Sequence, residues 1–111
     1  MLNEILGLYL LRLGITSDTA VSGDLAVELL KNNSYWAVFC DLMLPGMNGL
    51  DLIRKMKGLD SAKPPRFVLL TGGILDDASE EAAASNHIVV CRKPFNFEII
   101  KNTLHTLEQL A

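Results

Sequence analysis

The stretch Trp36–Gly58, WAVFCDLMLPGMNGLDLIRKMKG, decides how the chain is read. It opens on Trp36 to Cys40, a continuous apolar run of strand length, the pattern of a strand covered on both faces. Asp41 ends the run, and LMLPGMNG supplies a turn rich in proline and glycine. From Leu50 to Met56 the apolar residues return at helical spacing, and Gly58 stops them. Strand, turn and helix in that order form the first half of a crossover between parallel strands.

The same pattern continues downstream. Pro64–Pro65 breaks the chain before a second apolar strand, Phe67 to Leu70, which ends at Thr71-Gly72-Gly73. Asp77 with Glu80 three residues on has capping-box spacing and opens an alanine-rich helix reaching about Ser85. His87 to Cys91 reads as the last strand, followed by Arg92-Lys93-Pro94. Asn96 caps a final helix with Ile99, Ile100, Leu104, Leu107 and Leu110 as its buried positions. Upstream, Leu2 to Leu13 carries Leu2, Ile5, Leu6, Tyr9 and Leu13 at helical spacing, and Leu8, Leu10 and Leu11 broaden that stripe. Gly14 stands at the C-cap position. Ile15 to Val21 is expected as a strand on its β-branched residues. Leu25, Ala26, Leu29 and Leu30 define a second helix ending near Asn32–Asn33.

Strict alternation of helices and parallel-type strands predicts an α/β fold built of crossovers. In such sheets the ligand site lies at the carboxyl ends of the strands. Asp41, Thr71 and Lys93 each stand at the end of a different strand and so converge on one rim. Alone, each is ambiguous. Asp41 can serve as nucleophile, metal ligand or turn cap. Lys93 can be a solvated strand-end lysine, although Pro94 favours an extended backbone that aims it over the rim. Thr71 can simply end a strand, or present a hydroxyl beside the close-approaching backbone of two glycines.

Composition limits the alternatives. The chain has 111 residues, 50% hydrophobic and 21% charged, with 8 Gly and 4 Pro, which suits one folded domain over residues 1–111 and excludes a disordered or collagen-like chain. A formal charge of −3 with scattered Lys and Arg gives no basic stripe for nucleic acid. Cys40 and Cys91 sit inside apolar runs without metal-type spacing and read as buried reduced thiols. No apolar run approaches the ~18 residues of a membrane span. The order of Glu4 before Arg12 does not match a signal peptide. A cytoplasmic location without membrane partners is the expectation.

DLMLPGMNGLDLIRKMK (Asp41–Lys57), VLLTG (Val68–Gly72) and RKPF (Arg92–Phe95) together resemble the response-regulator receiver domain. Ala20 and Gly23 match its pattern after the second strand, and Gly14 its first-helix glycine. The resemblance spans essentially the whole chain. It implies a three-layer αβα sandwich of the flavodoxin-like or CheY-like kind with a parallel sheet. It also implies a phosphoacceptor role for Asp41, a phosphoryl-sensing hydroxyl on Thr71 and charge neutralisation by Lys93. Pro45 and Gly49 would shape the acceptor loop. Asp41 and the backbone carbonyl of Met43 would ligate Mg2+. The implied partner is a histidine kinase or histidine phosphotransfer domain, and the implied role is regulatory, not enzymatic. The need for the cation and the lysine is electrostatic: two unit charges about 4 Å apart repel by about 4 kcal/mol at an effective dielectric of about 20.

The chain also departs from the receiver pattern. Receivers begin with a buried strand ending in two adjacent acidic residues. Aligning on Gly14 places that strand and its acidic pair before Met1, so a truncated or degenerate receiver is expected, with weak or absent Mg2+ binding. The missing strand would be central, which leads to the expectation of self-association or a rearranged sheet. Val90 stands where many receivers carry an aromatic switch residue. That feature, with Thr71-Gly72-Gly73, looks more like receivers appended to hybrid sensor histidine kinases. The alternative is a pseudo-receiver, a phosphorylation-independent interaction module. A haloacid-dehalogenase-type hydrolase would need Asp-x-Asp-x-Thr, which Asp41-Leu42-Met43-Leu44-Pro45 lacks, and no phosphate loop supports a flavin binder.

Overall fold

Five consecutive side chains of one strand, Phe67 to Thr71, are buried, which is how a continuous apolar run behaves in the middle of a parallel sheet. The computed structural model describes residues 2–44, 47–59, 64–73, 75–94 and 96–109, with backbone alone at residues 2–5. Pro45, Phe95 and Leu110, and the side chains of Leu2 and Ile5, lie outside what is described. Along the chain run α1 (Leu2–Arg12), α2 (Gly23–Asn32), β1 (Ala37–Asp41), β2 (Met43–Leu44), β3 (Met47–Asn48) and α3 (Gly49–Lys57). They are followed by β4 (Arg66–Thr71), α4 (Asp77–Ser85), β5 (Val89–Arg92) and α5 (Phe97–Glu108).

The described chain divides into two compact units, residues 20–93 and residues 1–19 with 94–111. The first holds a parallel sheet, which among the described residues has the order β1-β4-β5. Asp41 lies opposite Leu70 in the β1–β4 ladder, and Thr71 opposite Arg92 in the β4–β5 ladder. α3 and α4 carry the chain between these strands. Phe67 and Leu69 point to one face, where Val27, Cys40, Leu50, Leu52, Ile53, Met56, Leu75, Ala83 and Ile88 form the core with them. Ser22 caps α2 by accepting the Leu25 amide, and Asn48 caps α3 by accepting the Leu50 amide. β2 and β3 pair as a short antiparallel hairpin within the stretch read as a turn.

In the second unit, α1 ends in a Schellman motif. Gly14 adopts φ +80°, its amide reaches the Leu11 carbonyl, and the Ile15 amide reaches the Leu10 carbonyl. Tyr9 meets Phe97 of α5 edge to face at 5.9 Å, and the Arg12 guanidinium lies 4.3 Å above the same ring. Asn96 caps α5 through the Ile99 amide.

Four expectations need correction. Ile15–Val21 is not a strand: a strand is a paired element, and this segment has no ladder partner among the described residues, with Ser17, Asp18 and Thr19 exposed. The cap of α4 is Asp76, not Asp77. The Asp76 carboxylate reaches the Ser79 amide at 2.7 Å, one residue earlier than the capping-box spacing suggested, which frees Glu80 for another partner. The broad stripe of α1 is not uniformly buried: Leu6 and Leu10 are, but Leu8 and Leu11 are 65% and 63% exposed. Ile99 is likewise partly exposed, and the buried α5 positions are Ile100, Thr103, Leu104 and Leu107.

Candidate functional site

Asp41, the last residue of β1, is carried out of the core by its strand. Its main chain is fixed by the neighbouring loop. The Leu42 amide extends the ladder to the Leu70 carbonyl at 2.8 Å, and the Gly49 amide returns to the Leu42 carbonyl at 2.6 Å. Gly49 packs its backbone directly on Asp41. A Cβ at that position would overlap the Asp41 carbonyl oxygen and come within 2.7 Å of its carbon and 2.9 Å of the Leu42 Cα. Only glycine permits this approach, so the loop holds the carboxylate by contact with its backbone.

Lys93 follows β5 directly. Its amide donates to the Thr71 carbonyl at 2.7 Å, and its ammonium lies 2.5 Å from Asp41 Oδ1. The side chains of this pair are only 20% and 30% exposed, for Asp41 and Lys93 respectively. Asp41 Oδ1 is withdrawn from solvent and receives no well-angled hydrogen bond. The ammonium is therefore close but not aligned with it, and the pair is held by charge more than by a directed bond. This leaves a shielded carboxylate with unfilled acceptor capacity beside a fixed cation.

Thr71 ends β4 and is buried, and its hydroxyl is engaged by the Gly73 backbone. It accepts from the Gly73 amide and donates to the Gly73 carbonyl, each at 3.3 Å. Thus Asp41 and Lys93 meet through their side chains, and Lys93 and Thr71 through their backbones. The Cys40 thiol contacts the Asp41 and Gly49 carbonyls at 3.5 and 3.8 Å. Burial first, and the Asp41 charge second, push its pKa up to about 11, so it is a neutral packing group and no rival nucleophile. Cys40 and Cys91 are both buried.

A Mg2+ ion demands near-octahedral oxygen ligation. No group of three or more His, Cys, Asp or Glu suited to a metal occurs among the described residues. Asp41, with Oδ1 against Lys93, and the Met43 carbonyl are a donor set too small for that ion. Among the described residues these donors do not complete a site for it.

A family model for the response regulator receiver domain matches residues 1–105. The chain belongs to the response regulator receiver family. A cyclic di-GMP phosphodiesterase of Thermotoga maritima is 35% identical over 103 residues, 88% of this chain and 26% of that enzyme. The chain spans well under two thirds of the length of its curated relatives, 26% of that enzyme and 9% of the aerobic respiration control sensor protein ArcB of Escherichia coli. The chemotaxis protein CheY4 of Vibrio cholerae superposes with a TM-score of 0.85 at 19% identity, covering 96% of this receiver and 88% of CheY4. The response regulator TrrA of Thermotoga maritima, in complex with Mg2+ and BeF, gives a TM-score of 0.78 at 28% identity, covering 96% and 89%. The fold is therefore CheY-like α/β with a parallel sheet, and the chain is a regulatory receiver of two-component signalling, a class that works with histidine kinases and phosphotransfer partners. Membership leaves the dehalogenase and flavin readings without support.

Sequence reading missed the contact made by Gly49 and the cap Asn48. Asn48 before the first periodic residue of α3 was a legible signal. It also missed the partners of Arg92, which are far away in sequence and carry no local signature.

Proposed function

We propose that this receiver accepts a phosphoryl group on Asp41 from a phosphohistidine of a histidine kinase or histidine phosphotransfer domain. The observation that carries the reading is the shielded Asp41 carboxylate at a strand end with the Lys93 ammonium at 2.5 Å. A carboxylate oxygen forms a bond to phosphorus while the bond from phosphorus to the histidine nitrogen breaks. The leaving nitrogen keeps the electron pair. Lys93 offsets the charge that accumulates on Asp41 and the incoming group, without reorganising. Thr71 then turns its hydroxyl from Gly73 to a phosphoryl oxygen.

Residues 1–111 act here as one regulatory, non-enzymatic domain in the cytoplasm. A hybrid sensor kinase is the parent that Val90 and Thr71-Gly72-Gly73 favour. Among the described residues no helix is long and apolar enough to cross a membrane, and nucleic acid is not a partner in this reading. The donor set among the described residues, small for Mg2+, favours a second reading, a pseudo-receiver that binds partners without being phosphorylated. Label transfer from a phosphorylated histidine phosphotransfer domain separates the two. The first reading expects label on the wild type, none on Asp41→Asn and slow labelling of Lys93→Ala. Stable binding of that domain without label on the wild type selects the second.

A further inference from the structure

Arg92 lies outside the acceptor chemistry, yet its position is unusual. It is the ladder partner of Thr71. Strand alternation places it on the same sheet face as Val90, which leaves no aromatic ring there. Its guanidinium forks: Nη1 reaches the Gly73 carbonyl and Nη2 reaches Glu80 Oε1, each at 3.4 Å. The Gly73 carbonyl is the same oxygen that accepts the Thr71 hydroxyl. Gly73 is therefore a node with the sensing hydroxyl on one side and an arginine leading to the first turn of α4 on the other.

We propose that Arg92 is a positioning residue that couples the Thr71 hydroxyl to the start of α4 through the Gly73 carbonyl and Glu80. This deepens the phosphoacceptor reading and, for its input, rests on it. Three features support a movable coupling. When the hydroxyl leaves Gly73, that residue loses both a donor and an acceptor, and Arg92 remains the partner of its carbonyl. A Cβ at Gly73 would meet nothing within 4 Å, so the loop has room to shift. The Arg92 contacts are long, and the Arg92 and Glu80 side chains are half-exposed. Such contacts rearrange without breaking the fold. Glu80 stands on the first turn of α4, whose other anchor there is the Asp76 cap on Ser79. A pull on Glu80 is thus felt at the helix start.

Amide NMR of the whole chain tests this without relying on phosphorylation. Thr71→Val removes the hydroxyl while keeping the shape, and Thr71→Ser is the control that keeps it. The coupling predicts that Thr71→Val shifts the Gly73 amide and the amides of Ser79 to Glu81, and that Thr71→Ser does not. In an Arg92→Ala background the Gly73 shift should persist while the α4 shifts fall at least twofold. Equal α4 shifts with and without Arg92, or none in either background, overturn the coupling. Phosphoramidate added to the wild type and to Arg92→Ala is the second arm. Equal labelling of both on Asp41, with α4 shifts reduced in the variant, supports the proposal. Absence of labelling in the wild type overturns the phosphoacceptor reading and the input it supplies, while the Thr71→Val series still decides the coupling.

Discussion

The two halves of the strand-end rim are built differently. On the acceptor half, the Gly49 backbone is wedged against Asp41 and a lysine is drawn to its carboxylate inside a partly shielded corner. On the sensing half, Thr71, Gly73, Arg92 and Glu80 are joined by contacts of 3.3 to 3.4 Å, and the loop has free space around Gly73. One half is held by steric exclusion and charge, and the other by weak polar contacts that can be exchanged. In the proposed reading, this contrast separates chemistry from response on one rim: the group proposed to be modified is fixed, and the groups proposed to register the modification are loose.

A methyl group at the two glycines should expose that contrast most strongly. Gly49→Ala must displace β1 or the start of α3 and should cost about 3 kcal/mol, the scale of severe overpacking. Gly73→Ala enters open space without a left-handed φ and should change stability by less than about 1 kcal/mol in either direction. Chemical denaturation of both variants checks this, and equal costs would erase the distinction. Next in size is Lys93→Ala, which leaves the shielded Asp41 carboxylate without its cation. A loss of about 1–3 kcal/mol is expected, the range for an abandoned polar partner, and Asp41→Asn in the same background should restore part of it.

A smaller effect belongs to Asp76 at the start of α4. The Ser79 hydroxyl first, and the Ser79 amide second, hold its carboxyl below the ordinary value of 3.8. Because the folded value is depressed, the cap contributes stability above that ordinary value and loses it as pH falls through the lower folded value. Asp76→Ala should lower the melting temperature at pH 7. Asp76→Asn, which can still cap, should remove the pH dependence while keeping most of the stability. The smallest effect is Arg92→Ala. An exposed ion pair is worth about 0–1 kcal/mol, so the melting temperature should barely move. A large loss would place Arg92 among the structural residues.

How much of this could be read from the sequence depended on how local the physics was. β1, β4 and β5 were legible because each is a short apolar run bounded by turn residues, and α1 and α3 because their glycine stops act within one turn. Asp41, Thr71 and Lys93 were legible as strand ends, which in a parallel sheet share one rim. Ile15–Val21 was misread because β-branched residues mark a strand only when a neighbour completes the ladder. The α4 cap was misread by one residue because Asp76 and Asp77 both satisfy the local signal, and only the reach to Ser79 separates them. The backbone contact of Gly49 with Asp41 and the fork of Arg92 were out of reach, since both are made across the fold.

The central claim is that the fixed half of the rim presents Asp41 as the acceptor. Its most direct test is borohydride reduction of wild-type protein after incubation with phosphoramidate and Mg2+, followed by peptide mass mapping. An acyl phosphate is converted to homoserine at the modified position. Homoserine confined to position 41, and absent from Asp41→Asn, is the predicted result. Homoserine at other aspartates, or an unmodified Asp41 under conditions that label another receiver of the family, would contradict the account.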